Sequence, residues 1–538
     1  MDLKLSPDIE LAPAVKLLLN IGGTLDIVTG TWSNGKHGES ILNGGLGFIT
    51  GQVGPGNAFK STLLHGMLLK GMSVVFDSCF KPEGKNQRAL KRMRTSNSTY
   101  DTEVNMQEPR LKVLSKQIRE LFNEDLFNHE QVLWKVTDKT VMWGNEFFEK
   151  LKEFTRYKRK NQKAYEVETP FLDRDGSPFK IILPTFGLID SITDFQTEKE
   201  SDIQDENELG DSGGNTLFAR SGLFKTRLLT ELPGVCGGSY HFLGLTAQLN
   251  TEMAMGGGGP AGAAQPQRKL HYLGQNQKIV GATTKFTYAT TVAFNARSAR
   301  PLVDADRMAE YPRPEAQKVT RDTDLNEVAL TILRNKNGKT GVEVTLLTTQ
   351  LEGLQFELSE FHNLRENKRY GIIGSGQWYT LALYPECAIQ RTTIRKKIAE
   401  DLRLRRAINI TSEMQQMSVH MPAVWAEYGC EPTELHADLK KMGYDWEMLL
   451  TTRGSYRLNN EYHPVPFLSS LDLLKMRKGL YFPYWMTADK KGIKPEYQYT
   501  YAEEDYLQLD ETLVKEAEIL LALENAKREA DAKTAKTL

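Results

Sequence analysis

The residues best placed to do chemistry are Gly54, Pro55, Gly56, Asn57, Ala58, Phe59, Lys60, Ser61 and Thr62. They follow a short apolar run, 47–53, and lead into a stretch, 61–70, where Leu63, Leu64, Met67 and Leu68 share one helical face. Strand, glycine-rich loop and helix N-terminus is the order in which backbone N–H groups and a helix dipole converge on phosphates. The pattern predicts an ATP site. Lys60 would bring a point charge to the β- and γ-phosphates, and the Ser61 hydroxyl would ligate Mg²⁺. One position departs from the usual phosphate loop: Phe59 stands where glycine normally precedes the lysine.

A second acidic candidate closes an apolar strand: Phe186-Gly187-Leu188-Ile189 ends in Asp190, the arrangement that holds Mg²⁺ beside a phosphate-loop serine. Hydrolysis also needs a group to orient the attacking water. The apolar run 73–79 is predicted to be the next core strand, and its end offers Asp77 and Cys79. A thiol is a poor water-activating base at neutral pH, so Asp77 or Glu83 would carry that role, or turnover would be slow. The strand 239–246 leads to Gln248, an amide able to sense the γ-phosphate and relay its state to the following loop.

The elements needed to position these groups are legible in outline. Strand candidates are 181–189, 239–246, 286–294 and 342–347, and 117–127 has helical spacing. Strands alternating with helices predict an α/β core with a mainly parallel sheet. The expected organisation is an N-terminal arm or oligomerisation segment, 1–46, and an ATPase core, 47–350, carrying a polar insertion at about 84–170. An α+β C-terminal region, 351–538, would follow. At 538 residues the chain is too long for one ordinary core. No apolar run reaches eighteen residues and the start lacks a signal-peptide core, so neither membrane nor secretion is expected and the location reads as cytoplasmic. Four scattered cysteines fit a reducing compartment without structural zinc. A formal net charge of −1 argues that any nucleic-acid contact is local rather than a property of the whole surface.

Taken in order, these motifs resemble the RecA-type recombinases, and within them the UvsX-type recombinases of tailed phages. Phosphate loops of that type read G-P-x-x-x-F-K-S, which Gly54 to Ser61 matches, Phe59 included. Phe76-Asp77-Ser78-Cys79 resembles the family's second strand, F/Y-D-S-E, with Cys79 at the glutamate position. Ile189-Asp190-Ser191 resembles its magnesium-binding strand end, and Gln248 falls at its phosphate-sensing glutamine. The segment 281–289, with Lys285, Phe286, Tyr288 and Ala289, resembles the stretch after the second DNA loop. Arg334-Asn335-Lys336 resembles the basic pair that reaches ATP on a neighbouring subunit.

The resemblance implies a RecA-like core and a DNA-dependent ATPase. Such a protein forms filaments on single-stranded DNA and exchanges strands with duplex DNA in recombination, repair and recombination-dependent replication. A single-strand-binding protein and a loading factor are further partners it implies. It places DNA at two loops. The first, 194–214, is acidic and should point mostly away from phosphates. The second, 251–281, offers Gly256, Gly257, Arg268, Lys269, Tyr272 and Lys278, with cations for phosphates and a ring for bases. The basic stretch 391–406 reads as a solvated helix face or a duplex-collecting surface. The tail 511–535 reads as a solvated or packing helix. Two alternatives remain open at this point: a hexameric replicative helicase on the same core, and an ATP-binding structural protein with little hydrolysis.

Overall fold

Ile49, Thr50 and Val53 lie in a strand whose every residue is buried, at the centre of a ten-stranded sheet. The computed structural model describes residues 13, 15–76, 80–83, 86–92, 94–118, 121, 124–128, 132–206, 214–251, 273, 277–280, 283–313, 324–374, 378–458, 465–489 and 492–497. In chain order the sheet strands are β1 (Ile49–Gly54), β2 (Asn97–Asp101), β3 (Trp134–Asp138), β4 (Thr185–Asp190), β5 (His241–Thr251), β6 (Gln277–Ile279), β7 (Val292–Pro301), β8 (Asn326–Asn335), β9 (Glu343–Thr349) and β10 (Gly353–Gln355). Across the sheet they run β10-β9-β8-β7-β1-β5-β4-β2-β3, and β6 pairs with the far end of β5. From β7 to β3 all neighbours are parallel. The strands β8, β9 and β10 alternate in direction at one edge.

The helices that concern the site are α1 (Gly23–Thr29), α2 (Lys60–Phe76), α3 (Glu108–Lys116), α4 (Gly144–Lys160), α5 (Glu198–Glu206), α6 (Gly214–Gly237), α7 (Thr283–Ala289), α8 (Phe356–Glu366), α9 (Ile394–Glu400) and α10 (Leu402–His420). On one face of the sheet, Leu64, Met67 and Leu68 of α2 pack with Phe186, Phe242 and Phe294. On the other, Phe147 and Leu151 of α4 and Leu228 and Leu232 of α6 pack with Ile49, Ile189 and Leu245. A mainly parallel sheet covered on both faces is the α/β architecture the strand–helix alternation predicts. C-terminal to it, α8 and α10 share a separate apolar cluster with a small three-stranded antiparallel sheet. Among the described residues no helix is long and apolar enough to cross a membrane.

Several expected elements differ. Residues 73–76 are the last turn of α2, not a strand, because Val74, Val75 and Phe76 extend the helix's apolar surface into the core. The strand beside β4 is instead the polar β2. The stretch 84–170 is therefore no insertion: it supplies β2, β3 and α4 to the core itself. Its first core strand carries no apolar signature, because the buried side chains of β2 are Asn97, Thr99, Tyr100 and Asp101. The candidate 181–189 is split at Pro184 into a strand Pro178–Ile182 and β4, since proline cannot donate to a ladder. The candidate 286–294 is half helix, α7, and half β7. Helix α3 ends at Lys116, and turns follow where 117–127 has helical spacing.

From Val15 onward the segment expected as an arm is packed into the molecule. Leu17, Leu19 and Ile21 are buried in the core, and every residue of α1 is buried. Thr24 shares a hydrogen bond with Ser412 of α10 at 3.2 Å, and Ser40 N–H donates to Asp472 at 2.8 Å. The basic stretch 391–406 is paired within the chain: Arg391 with Asp304 at 2.9 Å, Arg395 with Glu352, and Arg403 with Glu447 at 2.5 Å. Arg406 is buried and donates to the Leu468 carbonyl at 2.6 Å. That leaves little of it as an open cationic face. The tail 511–535 lies outside the described residues.

Candidate functional site

The loop between β1 and α2 leaves the sheet at the carboxyl ends of its parallel strands, where open α/β sheets bind ligands. Gly54 has no room for a side chain, because a Cβ there would sit 2.8 Å from the Ala296 carbonyl. Asn57 and Phe59 both take left-handed backbone angles, φ 59° and 57°. At the position before Lys60 the loop thus adopts the conformation glycine adopts without strain. Phe59 adopts it at a cost of about 1–2 kcal/mol. Its ring, packed on the core cluster under α2, offsets part of that cost. Helix α2 begins at Lys60, so the Lys60, Ser61 and Thr62 amides belong to its open first turn.

Lys60 folds back, its ammonium donating to the Pro55 carbonyl at 2.7 Å. Burial lowers its pKa from the ordinary lysine value, while Asp190 and Glu103 act in the opposite direction. These two carboxylates are the acids of the site. Asp190 is buried at the end of β4 and accepts a hydrogen bond from the Thr246 hydroxyl of β5. It pairs across the sheet with Asp101, the last residue of β2.

The chain beyond β2 is held tightly. Asp101 accepts the N–H groups of Glu103, Asn105 and Met106 at 3.0, 2.8 and 2.7 Å. Thr102 N–H donates to the Asp190 carbonyl at 2.8 Å, and its hydroxyl accepts Ser191 N–H at 2.7 Å. The turn projects Glu103 as an exposed carboxylate near Lys60, with Asn105 donating to it at 3.0 Å. Tyr100-Asp101-Thr102-Glu103 therefore occupies the second-strand end that was expected at Phe76-Asp77-Ser78-Cys79. Asp77 and Cys79 themselves lie outside the described residues.

Two further side chains join the site. Arg110 of α3 donates to the Thr62 hydroxyl at 2.9 Å and to Gln350 at 2.7 Å. His65 lies buried beneath the loop, with Nδ1 2.8 Å from the Ser61 carbonyl, and burial lowers its pKa so the ring stays neutral. Neither was singled out in the sequence. Glu103 was legible there, in the tetrapeptide pattern itself, had β2 been recognised as a strand.

Gln248 stands half-buried near the end of β5, its N–H donating to Thr193 at 3.0 Å and its carbonyl accepting Val280 N–H at 3.0 Å. It ties the segment after β4 to the segment that returns from the second loop. Of the residues expected on DNA, Lys278 is exposed on β6, while Gly256, Gly257, Arg268, Lys269 and Tyr272 lie outside the described residues. In the first loop, α5 carries Glu198, Glu200 and Asp202, with Glu200 buried and capping Thr197 N–H at 2.6 Å.

Arg334 and Lys336 do not join this group. Arg334 pairs with Ala293, and Ala293 pairs with Gly51, three residues before Gly54. That places Arg334 about 10 Å back along the strands from the loop's entry, toward their amino ends. There its guanidinium stacks over Tyr288, 5.5 Å from the ring centre, and donates to Thr290 at 3.2 Å. Lys336 is exposed beside it. These two cations thus stand toward the amino ends of the strands, away from the phosphate loop of the same chain.

Among the described residues no three His, Cys, Asp or Glu side chains come together as a metal cage. A magnesium ion bound with a triphosphate needs none, since phosphate oxygens and water fill most of its shell. Ser61 and Asp190 fit that donor set. No protein-family model matches the chain, and no curated protein matches it.

Proposed function

We propose that the chain is a DNA-dependent ATPase of the RecA type, working as a recombinase that polymerises on single-stranded DNA. One arrangement carries the reading: the amide-lined turn and Lys60 at the end of β1, Asp190 at the end of β4 and Glu103 beyond β2 converge on one end of the sheet. The amides of 56–62 and Lys60 would grip the phosphates. Ser61 and Asp190 would hold Mg²⁺, which neutralises charge between the β- and γ-phosphates when bound. Glu103 would accept a proton from the attacking water and orient it. On this reading Glu103, rather than a residue of the 77–79 segment, would set the rate of turnover.

Gln248 links the site to both loop stems, so nucleotide state would bias how the loops meet DNA. Arg334 and Lys336, at the amino ends of the strands, would complete the site of a second copy. That makes assembly a condition of full activity and supports a polar polymer. The test is ATP turnover and negative-stain microscopy with single-stranded DNA and a slowly hydrolysed ATP analogue. Wild-type protein should form helical polymers and Lys60→Ala should not. Normal polymers with Lys60→Ala would overturn the reading, and closed rings would reassign it to a helicase.

A further inference from the structure

Helix α4 begins near the carboxyl ends of the strands, where Gly144 N–H meets the Gln196 carbonyl at 3.0 Å. It ends near their amino ends, where Lys158 donates to Thr185, the first residue of β4, at 2.8 Å. Over its last turns and the short 3₁₀ turn Gln162–Ala164, Arg156, Arg159, Lys160 and Lys163 follow i, i+3, i+4, i+7 spacing and are all exposed. Their neighbours Lys150 and Lys152 are neutralised by Glu153 and Glu149, whereas these four form no ion pair with a described residue. Beside them Tyr157 is 54% exposed, its hydroxyl 3.4 Å from that of Tyr165. A helix dipole favours cations in its last turn, which accounts for Arg159 and Lys160. It does not account for Arg156, for Lys163, or for the exposed ring of Tyr157.

We propose that this stripe is a contact surface for single-stranded nucleic acid. Unpaired cations along the end of α4 and the turn after it suit a phosphate backbone, and the exposed Tyr157 ring suits an unstacked base, which duplex DNA does not offer. The surface lies at the opposite end of the sheet from the phosphate loop and the two loop stems. It goes beyond the nucleotide-site reading and does not depend on it. It would hold strand that has left, or not yet reached, the loops.

The experiment measures binding of a fluorescent oligothymidylate by the full chain without nucleotide, across a salt series. Replacing all four cations (Arg156→Ala, Arg159→Ala, Lys160→Ala, Lys163→Ala) should make the log–log salt slope shallower by roughly 2–3, at ~0.7 for each phosphate no longer neutralised. Tyr157→Ala should weaken binding by about tenfold at every salt concentration. Arg156→Lys with Arg159→Lys should keep the wild-type slope, which separates lost charge from a damaged fold. The measurement is made without nucleotide, so failure of the ATPase reading leaves this result standing. An unchanged slope in the fourfold variant, with its thermal melt intact, overturns the proposal. So does a variant that alters DNA-free sedimentation while leaving the slope alone, since the stripe would then belong to a second copy.

Discussion

Replacing Glu103 by glutamine is the sharpest test of the catalytic assignment. The amide is nearly isosteric, so the turn held by Asp101 should persist, and Asn105 Nδ2 can still donate to the side-chain oxygen it meets at 3.0 Å. What disappears is the ability to take a proton. Loss of a positioned general base typically costs a factor of about 10²–10⁴, or about 2.7–5.4 kcal/mol in the barrier. The change also removes one of the two carboxylates that support the Lys60 charge, but Asp190 remains. Nucleotide affinity should therefore stay close to wild type, because the role proposed for Glu103 is on the attacking water rather than on the bound phosphates. The assay is single-turnover ATP hydrolysis with saturating single-stranded DNA, alongside fluorescent-nucleotide binding. Cys79→Glu serves as the counter-variant and should leave turnover unchanged, because in the proposed mechanism Glu103, just beyond β2, supplies the base. Wild-type turnover in Glu103→Gln, or a rise in Cys79→Glu, would refute the assignment and return the role to the segment after α2.

Other outcomes follow from the same geometry. Phe59→Gly removes about 1–2 kcal/mol of left-handed backbone cost but loses roughly 1–2 kcal/mol of ring burial, so urea unfolding should shift by no more than ~1 kcal/mol with ATP binding retained; a much larger loss would mean the ring anchors the core. Glu360, buried in α8, has its pKa raised to about 8 by burial and by the charges of Glu357 and Glu413, against hydrogen bonds from Asn409 and Gly23. Folded protein then binds a proton that unfolded chain has released. The stability this group contributes is full below pH ~4.5 and is lost as pH rises through about 8, at up to ~1.4 kcal/mol per pH unit. Glu360→Gln should flatten that part of the urea-midpoint profile between about pH 5 and 8, and parallel profiles for the two proteins would contradict the burial argument.

What could be read from the residue order alone were the features encoded within a few neighbouring positions. The loop 54–62 announces itself because amide convergence on a phosphate needs only a strand, a turn and a helix start in immediate succession. Asp190 was legible for the same reason, at the end of an apolar run, and Gln248 at the end of the next. The tertiary structure decided the rest, because neighbours in a parallel sheet are joined by long crossovers that leave no local trace. The strand next to Asp190 turned out to be Asn97–Asp101, whose polarity is tolerable in the interior because partners from elsewhere satisfy it: Trp134 donates to the Thr99 hydroxyl at 3.0 Å. The apolar 73–76, which has the composition of a strand, was claimed by the helix before it. Arg391, Arg395 and Arg403, a basic run by sequence, lost most of their openness to acids 87, 43 and 44 residues away. Periodicity reports which side of an element is buried, whereas only the folded chain determines which distant group lies against it.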